Sequence, residues 1–174
     1  EKAAAAVCPS LGPSGRSAAL STAKGSPNIT SSGDEIARCI ALKNPFEQMG
    51  ARLLLEAIER TVDAVGDGGT TTAVLLHSMA KEAVRCIAGG LDPNTVNHGI
   101  SRGVSYVLRD LQNRKTPSAQ ADILEAVAAQ ASRDQDLGAL IMRAVTSSAA
   151  GALITVEEST SGLDELTFSG GMQI

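Results

Sequence analysis

Two long stretches of helical apolar spacing are interrupted by Gly66-Asp67-Gly68-Gly69-Thr70-Thr71-Thr72, the densest run of glycine and hydroxyl residues in the chain. Glycine reaches positive φ without penalty and lets a ligand approach the backbone closely. The flanking helices are therefore expected to be separate elements. The run leads into a helix expected over Ala73–Ile87, whose first N–H groups lack intrahelical partners and carry the positive end of the dipole. Such a terminus suits an anion, most often a phosphate. Threonine hydroxyls can add donors there. Asp67 can hold Mg²⁺, which takes one or two carboxylates together with phosphate oxygens. The same residues also read as a glycine C-cap on one helix and a threonine N-cap on the next, and the GxxxxGK[ST] spacing of a P-loop is missing. The stretch alone leaves both readings open.

At 174 residues, with 43% hydrophobic and 20% charged content, the chain can build one ordinary globular core. That core must be aliphatic, because there is no Trp, one Tyr and two Phe. So few aromatics leave nothing for stacking bases and argue against a single-strand nucleic-acid module. The formal charge of −4 points the same way. No run approaches the 18 apolar residues of a membrane span. Cys8, Cys39 and Cys86 form no CxxC pair, so neither zinc nor a disulfide framework is indicated, and a reducing cytosol is the simplest compartment. His77 and His98 are isolated from each other and from the cysteines, which suits surface or packing roles. No GxSxG nucleophile motif occurs. The chain starts without Met in a helical-looking Glu1–Val7, has no cleavable leader and stops at an apolar Ile174, so both ends read as cut from something larger.

In chain order, Ser10-Leu11-Gly12-Pro13-Ser14-Gly15-Arg16 reads as a turn-rich loop. Ala18–Leu20 and Asn28–Thr30 are short strand candidates around a Lys24–Pro27 turn. Ser31–Asp34 reads as the cap of a short helix over Glu35–Ile40. Asn44 and Pro45 open a long helix to Val65, with cap and proline in their favoured places. Its expected buried face is Phe46, Met49, Leu53, Ala57, Ile58, Thr61, Val62 and Val65. The next helix, over Thr70–Ala88, is expected to bury Ala73, Leu76, Ala80, Ala83, Val84 and Ile87 and to end at Gly89-Gly90. Asp92-Pro93 caps a third over Pro93–Asn113 with Val96, Ile100, Val104, Val107, Leu108 and Leu111, broken by Arg114–Pro117. Two more are expected over Ser118–Ala131 and Asp136–Ser147. Leu153–Val156 and Glu165–Phe168 look like short strands around a Glu158–Asp164 turn, reached from Ala149-Ala150-Gly151. The fold class expected is mainly α, a helical bundle with a few short β-strands near both ends.

Several blocks taken together resemble one family. Leu11-Gly12-Pro13 with Gly15-Arg16, Asn44–Ala51 (NPFEQMGA) and Gly66–Thr71 follow in the order of the group I chaperonins, the bacterial GroEL type and its organellar relatives. Ala88–Pro93 is similar to that family's helix junction. Ile154–Glu158, Asp164–Leu166 and Gly171–Gln173 are similar to its crossing into the intermediate domain. The resemblance covers nearly the whole chain. It implies that residues 1–149 are part of the equatorial, ATP-binding domain and 150–174 the start of the intermediate domain, with the apical domain and the second equatorial half missing. Full-length members stack as two seven-membered rings that hydrolyse ATP to fold unfolded protein under a lid co-chaperonin. Their setting is bacterial cytoplasm or an organellar matrix. By position, the backbone of Ser10, Leu11, Gly12 and Pro13 would line the nucleotide, and Gly33 would face the phosphates. Gly68, Gly69, Thr70 and Thr71 would wrap those phosphates, and Asp67 would be the Mg²⁺ ligand.

Two departures fall in that site. Ser32 stands where the family has an aspartate beside the hydrolytic water, and serine is a poor general base. Gly69 replaces the first threonine of the family's DGTTT run, losing one hydroxyl. Two functions are therefore expected to compete: an ATP-dependent folding machine, or a divergent paralogue that binds or scaffolds with impaired hydrolysis. The isolated chain is expected to bind ATP weakly, not to turn it over, and to form no closed ring.

Overall fold

The computed structural model describes residues 1–21, 25–115, 121–132, 134–149, 152–157, 159 and 161–170. It divides into two compact units, Glu1–Asn113 and Arg114–Ile174. The first contains α1 (Lys2–Val7), a 3-10 turn (Cys8–Ser10), β1 (Ala18–Leu20), β2 (Asn28–Thr30), α2 (Gly33–Arg38), α3 (Pro45–Val65), α4 (Gly69–Ala88) and nearly all of α5 (Pro93–Arg114). The second holds α6 (Ala121–Ser132) and α7 (Gln135–Ser147). The fold is mainly α, as expected.

Local chemistry sets the helix ends. Asn44 Oδ1 accepts from Phe46 N at 2.9 Å and Glu47 N at 3.4 Å, and Pro45 fills the first helical position of α3. Gly66, at φ 79°, ends α3 with its N–H on Val62 O at 2.7 Å. Gly68, at φ 91°, turns the chain into α4, whose first helical bond runs from Thr72 N to Gly68 O. The two helices are separate, as the glycine run requires. Gly90, at φ 95°, follows α4, and Asp92 Oδ2 accepts from Thr95 N at 2.9 Å to cap α5. Asp134 Oδ1 caps α7 by accepting from Asp136 N and Leu137 N. α6 and α7 then pack so closely that a Cβ on Gly138 would lie 2.7 Å from Ala129 Cα.

β1 and β2 pair antiparallel, with Ala19 opposite Ile29. The short helix begins and ends two residues earlier than the expected Glu35–Ile40, because Ser32 O accepts the first helical bond from Ile36 N at 3.1 Å. The core of the first unit gathers Ala3, Ala4 and Val7 of α1, Ile36 and Ala37 of α2, Ala51, Leu54 and Ile58 of α3, and Ala73 of α4. Val7 and Ile58 are wholly enclosed. Burying such a side chain contributes roughly 1.5–3 kcal/mol.

Four expectations, three about packing and one about strands, are corrected here. In α3 the buried stripe is Ala51, Leu54 and Ile58, whereas Phe46, Met49, Leu53 and Val65 are exposed. Apolar residues occur all round this helix, so helical spacing fits two faces. The face used is the one against which α1, α2 and α4 close. In α4 only Ala73 of the expected apolar set is buried, and α5 buries none of its residues. Toward the chain end, the described residues of 152–157 and 161–170 form no strand. Leu153 and Val156 stay about nine-tenths exposed, at 89% and 94%. β-Branched residues make a strand only where a neighbour completes the hydrogen-bond ladder, and these segments do not pair. Lys24, the Thr116–Ser118 break and helix start, Ala150-Gly151, Glu158 and Gly171–Ile174 lie outside the described residues.

Candidate nucleotide site at the start of α4

Three segments far apart in sequence meet at the first turn of α4. Ser10 is buried at the end of the 3-10 turn, with its hydroxyl 2.9 Å from Thr70 Oγ1. Gly33, the first residue of α2, lies against the same threonine. A Cβ built on Gly33 would be 2.3 Å from Thr70 Oγ1 and 2.7 Å from Thr70 N. Gly69 is buried too, and its Cβ would meet Ile58 at 3.1 Å and Asp34 N at 3.5 Å. The starts of α2 and α4 thus sit side by side because glycine occupies both contact points. Their N–H groups at Gly33 and at Gly69–Thr71 have no intrahelical partner, which leaves donors for an anion.

The loop after Ser10 is closed on itself. Gly12 takes φ 77°, Gly15 N donates to Gly12 O at 2.9 Å, and Arg16 N donates to Pro9 O at 2.8 Å. Gly15 packs on the backbone, since a Cβ there would fall 2.1 Å from Ser10 O. Leu11, Gly12 and Pro13 lie on the exposed outer turn of this loop. Of Ser10 to Pro13, it is Ser10 that hydrogen-bonds to α4.

Asp67 is exposed between the two αL glycines, and its Oδ1 accepts from Gly68 N at 2.6 Å. The other carboxylate oxygen has no partner among the described residues. Nor do any three His, Cys, Asp or Glu side chains of the described residues converge there. This donor set fits Mg²⁺ brought in by a phosphate, with one carboxylate and the ligand's own oxygens, rather than a closed protein cage.

Ser32 precedes α2 as its N-cap residue, but its hydroxyl makes no capping bond and donates instead to Asp34 Oδ1. Asp34 faces Arg38, which also pairs with Glu59 of α3 at 2.9 Å. No carboxylate stands at position 32 itself.

Sequence reasoning missed the hydroxyl ties. Thr72 Oγ1 bonds Gly68 O at 3.0 Å and Thr61 Oγ1 at 3.1 Å, fastening α4 to α3. It also missed that the Ser10 side chain, not only its backbone, joins the site. A hydroxyl residue facing another some 60 positions away leaves no local signal. The concave surface along α5, lined by His98, Arg102, Tyr106 and Arg109, shares no residue with this site.

Comparison with known proteins identifies the setting of this geometry. The TCP-1/cpn60 chaperonin family model matches residues 4–172. The mitochondrial chaperonin HSP60 of Trypanosoma cruzi is 36% identical over the whole chain, and chaperonin GroEL 2 of Corynebacterium jeikeium is 38% identical over 96% of it. The chain spans 31% of the length of each relative. A group III chaperonin crystallised in the open state superposes with a TM-score of 0.70 and 28% identity, covering 84% of this chain and 29% of that one. The chaperonin gp146 of bacteriophage EL 2 (Pseudomonas aeruginosa), crystallised in the presence of ATP-BeFx, shares the fold. Its TM-score is 0.66 at 23% identity, covering 82% of this chain and 25% of that one. The chain belongs to the TCP-1/cpn60 chaperonin family.

Proposed function

We propose that residues 1–149 form part of the ATP-binding equatorial domain of a chaperonin subunit and that residues 150–174 begin its intermediate domain. The observation that carries this reading is the meeting of Ser10, Gly33 and Thr70 at the start of α4, where the backbone is closest and N–H donors are open. The amides of Gly33, Gly69, Thr70 and Thr71 would donate to phosphate oxygens, beside Gly68, whose own amide is held by Asp67. The backbone of Ser10, Leu11, Gly12 and Pro13 would line the nucleotide, and the free oxygen of Asp67 would take Mg²⁺. When bound, the ion neutralises phosphate charge and orients the transferring group.

Within the whole protein this site would drive ATP-dependent folding of unfolded clients. Self-association into rings and closure by a lid co-chaperonin follow from the same reading. The setting proposed is bacterial cytoplasm or an organellar matrix. A second reading is supported by Ser32: its proton is directed to Asp34, and it carries no carboxylate to activate water. On that reading the protein is a divergent chaperonin paralogue that binds or scaffolds with impaired hydrolysis.

Calorimetry with Mg-ATP on this chain and its Asp67→Ala variant tests the site. Weak, Asp67-dependent binding is expected, and equal binding by the two would reduce Asp67 to a helix-boundary residue. Phosphate release by the whole protein separates the two functional readings. Slow release that Ser32→Asp accelerates supports the paralogue, and rapid release with Ser32 in place supports the folding machine. Loss of a positioned base commonly lowers a rate about 10²–10⁴-fold.

A further inference from the structure

The three threonines that open α4 do not have equivalent hydroxyls. Ser10 Oγ donates to Val7 O at 2.9 Å and has only one proton to give. The 2.9 Å contact between Ser10 Oγ and Thr70 Oγ1 must therefore be donated by Thr70. That proton is directed into the protein, in a space so tight that Gly33 has no room for a Cβ beside it. Thr72 is also committed, its proton lying between Gly68 O and Thr61 Oγ1, while the Thr61 proton goes to Ala57 O. Thr71 differs from both. It is exposed, and its hydroxyl has no partner among the described residues.

We propose that Thr70 is a positioning residue, a latch that holds the Ser10 loop on α4 without touching the nucleotide, and that Thr71 alone of the three donates its hydroxyl to phosphate. This rests on the nucleotide reading above and refines it. The backbone amide of Thr70 remains a phosphate donor, and its side chain acts through Ser10. Since the loop from Leu11 to Pro13 is exposed beyond Ser10, the latch is, among the described residues, the one side-chain hydrogen bond that carries its inner end to α4.

The test is a set of Mg-ATP titrations and thermal melts on the chain with Ser10→Ala, Thr70→Val, Thr70→Ser, the Ser10→Ala/Thr70→Val pair and Thr71→Val. Thr71→Val should weaken Mg-ATP binding about tenfold with no change in melting temperature, as expected for losing one hydroxyl bond to a charged group. Ser10→Ala and Thr70→Val should each lower the melting temperature by about 3 °C and weaken binding, because one net hydrogen bond is lost. Their combination should be no worse than Thr70→Val alone, and Thr70→Ser should restore both readouts.

Multiplying effects of Ser10→Ala and Thr70→Val would overturn the latch. So would a Thr70→Val variant that loses affinity at unchanged melting temperature while Ser10→Ala binds normally, since Thr70 would then be a direct ligand. Normal binding by Thr71→Val would overturn its assignment. If the unaltered chain binds no Mg-ATP, the nucleotide reading falls and the Thr71 assignment with it. The latch is then decided by whether the Ser10→Ala and Thr70→Val losses in melting temperature fail to add.

Discussion

Gly33 and Gly50 look alike in the sequence and differ in kind in the structure. Gly33 abuts the Thr70 backbone, whereas a Cβ on Gly50, inside α3, would meet nothing within 4 Å. Gly33→Ala must push the starts of α2 and α4 apart. Forcing a methyl into such a contact destabilises by roughly 1–3 kcal/mol, so the urea midpoint should fall. Gly50→Ala should raise the midpoint, because alanine in a helix interior is favoured by roughly 0.5–1 kcal/mol. Opposite signs for these variants are the expected outcome. The same contrast shows what was legible at single residues. The glycines of the GDGG run declare the break between α3 and α4 by type and spacing. The partners of Ser10, Gly33 and Thr72 do not, because each touches a segment distant in the chain.

At the scale of elements, ends were easier to read than faces. Asn44-Pro45, Gly66, Gly89-Gly90 and Asp92-Pro93 carry their own capping chemistry, and both ends of α3, the end of α4 and the start of α5 fall within about a residue of where those caps put them, whereas α4 starts at Gly69, four residues before Ala73. Which face of α3 is buried depends on what packs against it. Leu53, expected inside, is 62% exposed, and its neighbour Leu54, not expected there, is 7% exposed. Leu54→Ala should therefore destabilise by about 2–5 kcal/mol, while Leu53→Ala should stay within about 0.5 kcal/mol. Urea unfolding followed by circular dichroism measures both. Equal losses would mean that α3 is rotated from the orientation described. The same dependence on neighbours explains why Leu153–Val156 has strand composition without being a strand: the composition is local, and the ladder is not.

For the whole molecule, the chain carries a small well-packed core beside much uncovered apolar surface. Val104, Val107, Leu108 and Leu111 of α5 and Val84 of α4 are all exposed. Apolar surface of this extent promotes association. Sedimentation velocity should show reversible, concentration-dependent association of the chain into small species, and a closed seven-membered ring would contradict this. The family was legible because its blocks occur in order along the sequence. The work the chain does was not, since the proposed nucleotide site depends on three segments being brought to one helix start. That convergence can be observed directly by following backbone amide hydrogen exchange as Mg-ATP is added. Protection is expected to rise together at Leu11–Gly12, Gly33 and Gly68–Thr71, with α5 unaffected. Protection confined to α5, or to only one of those three segments, would contradict it.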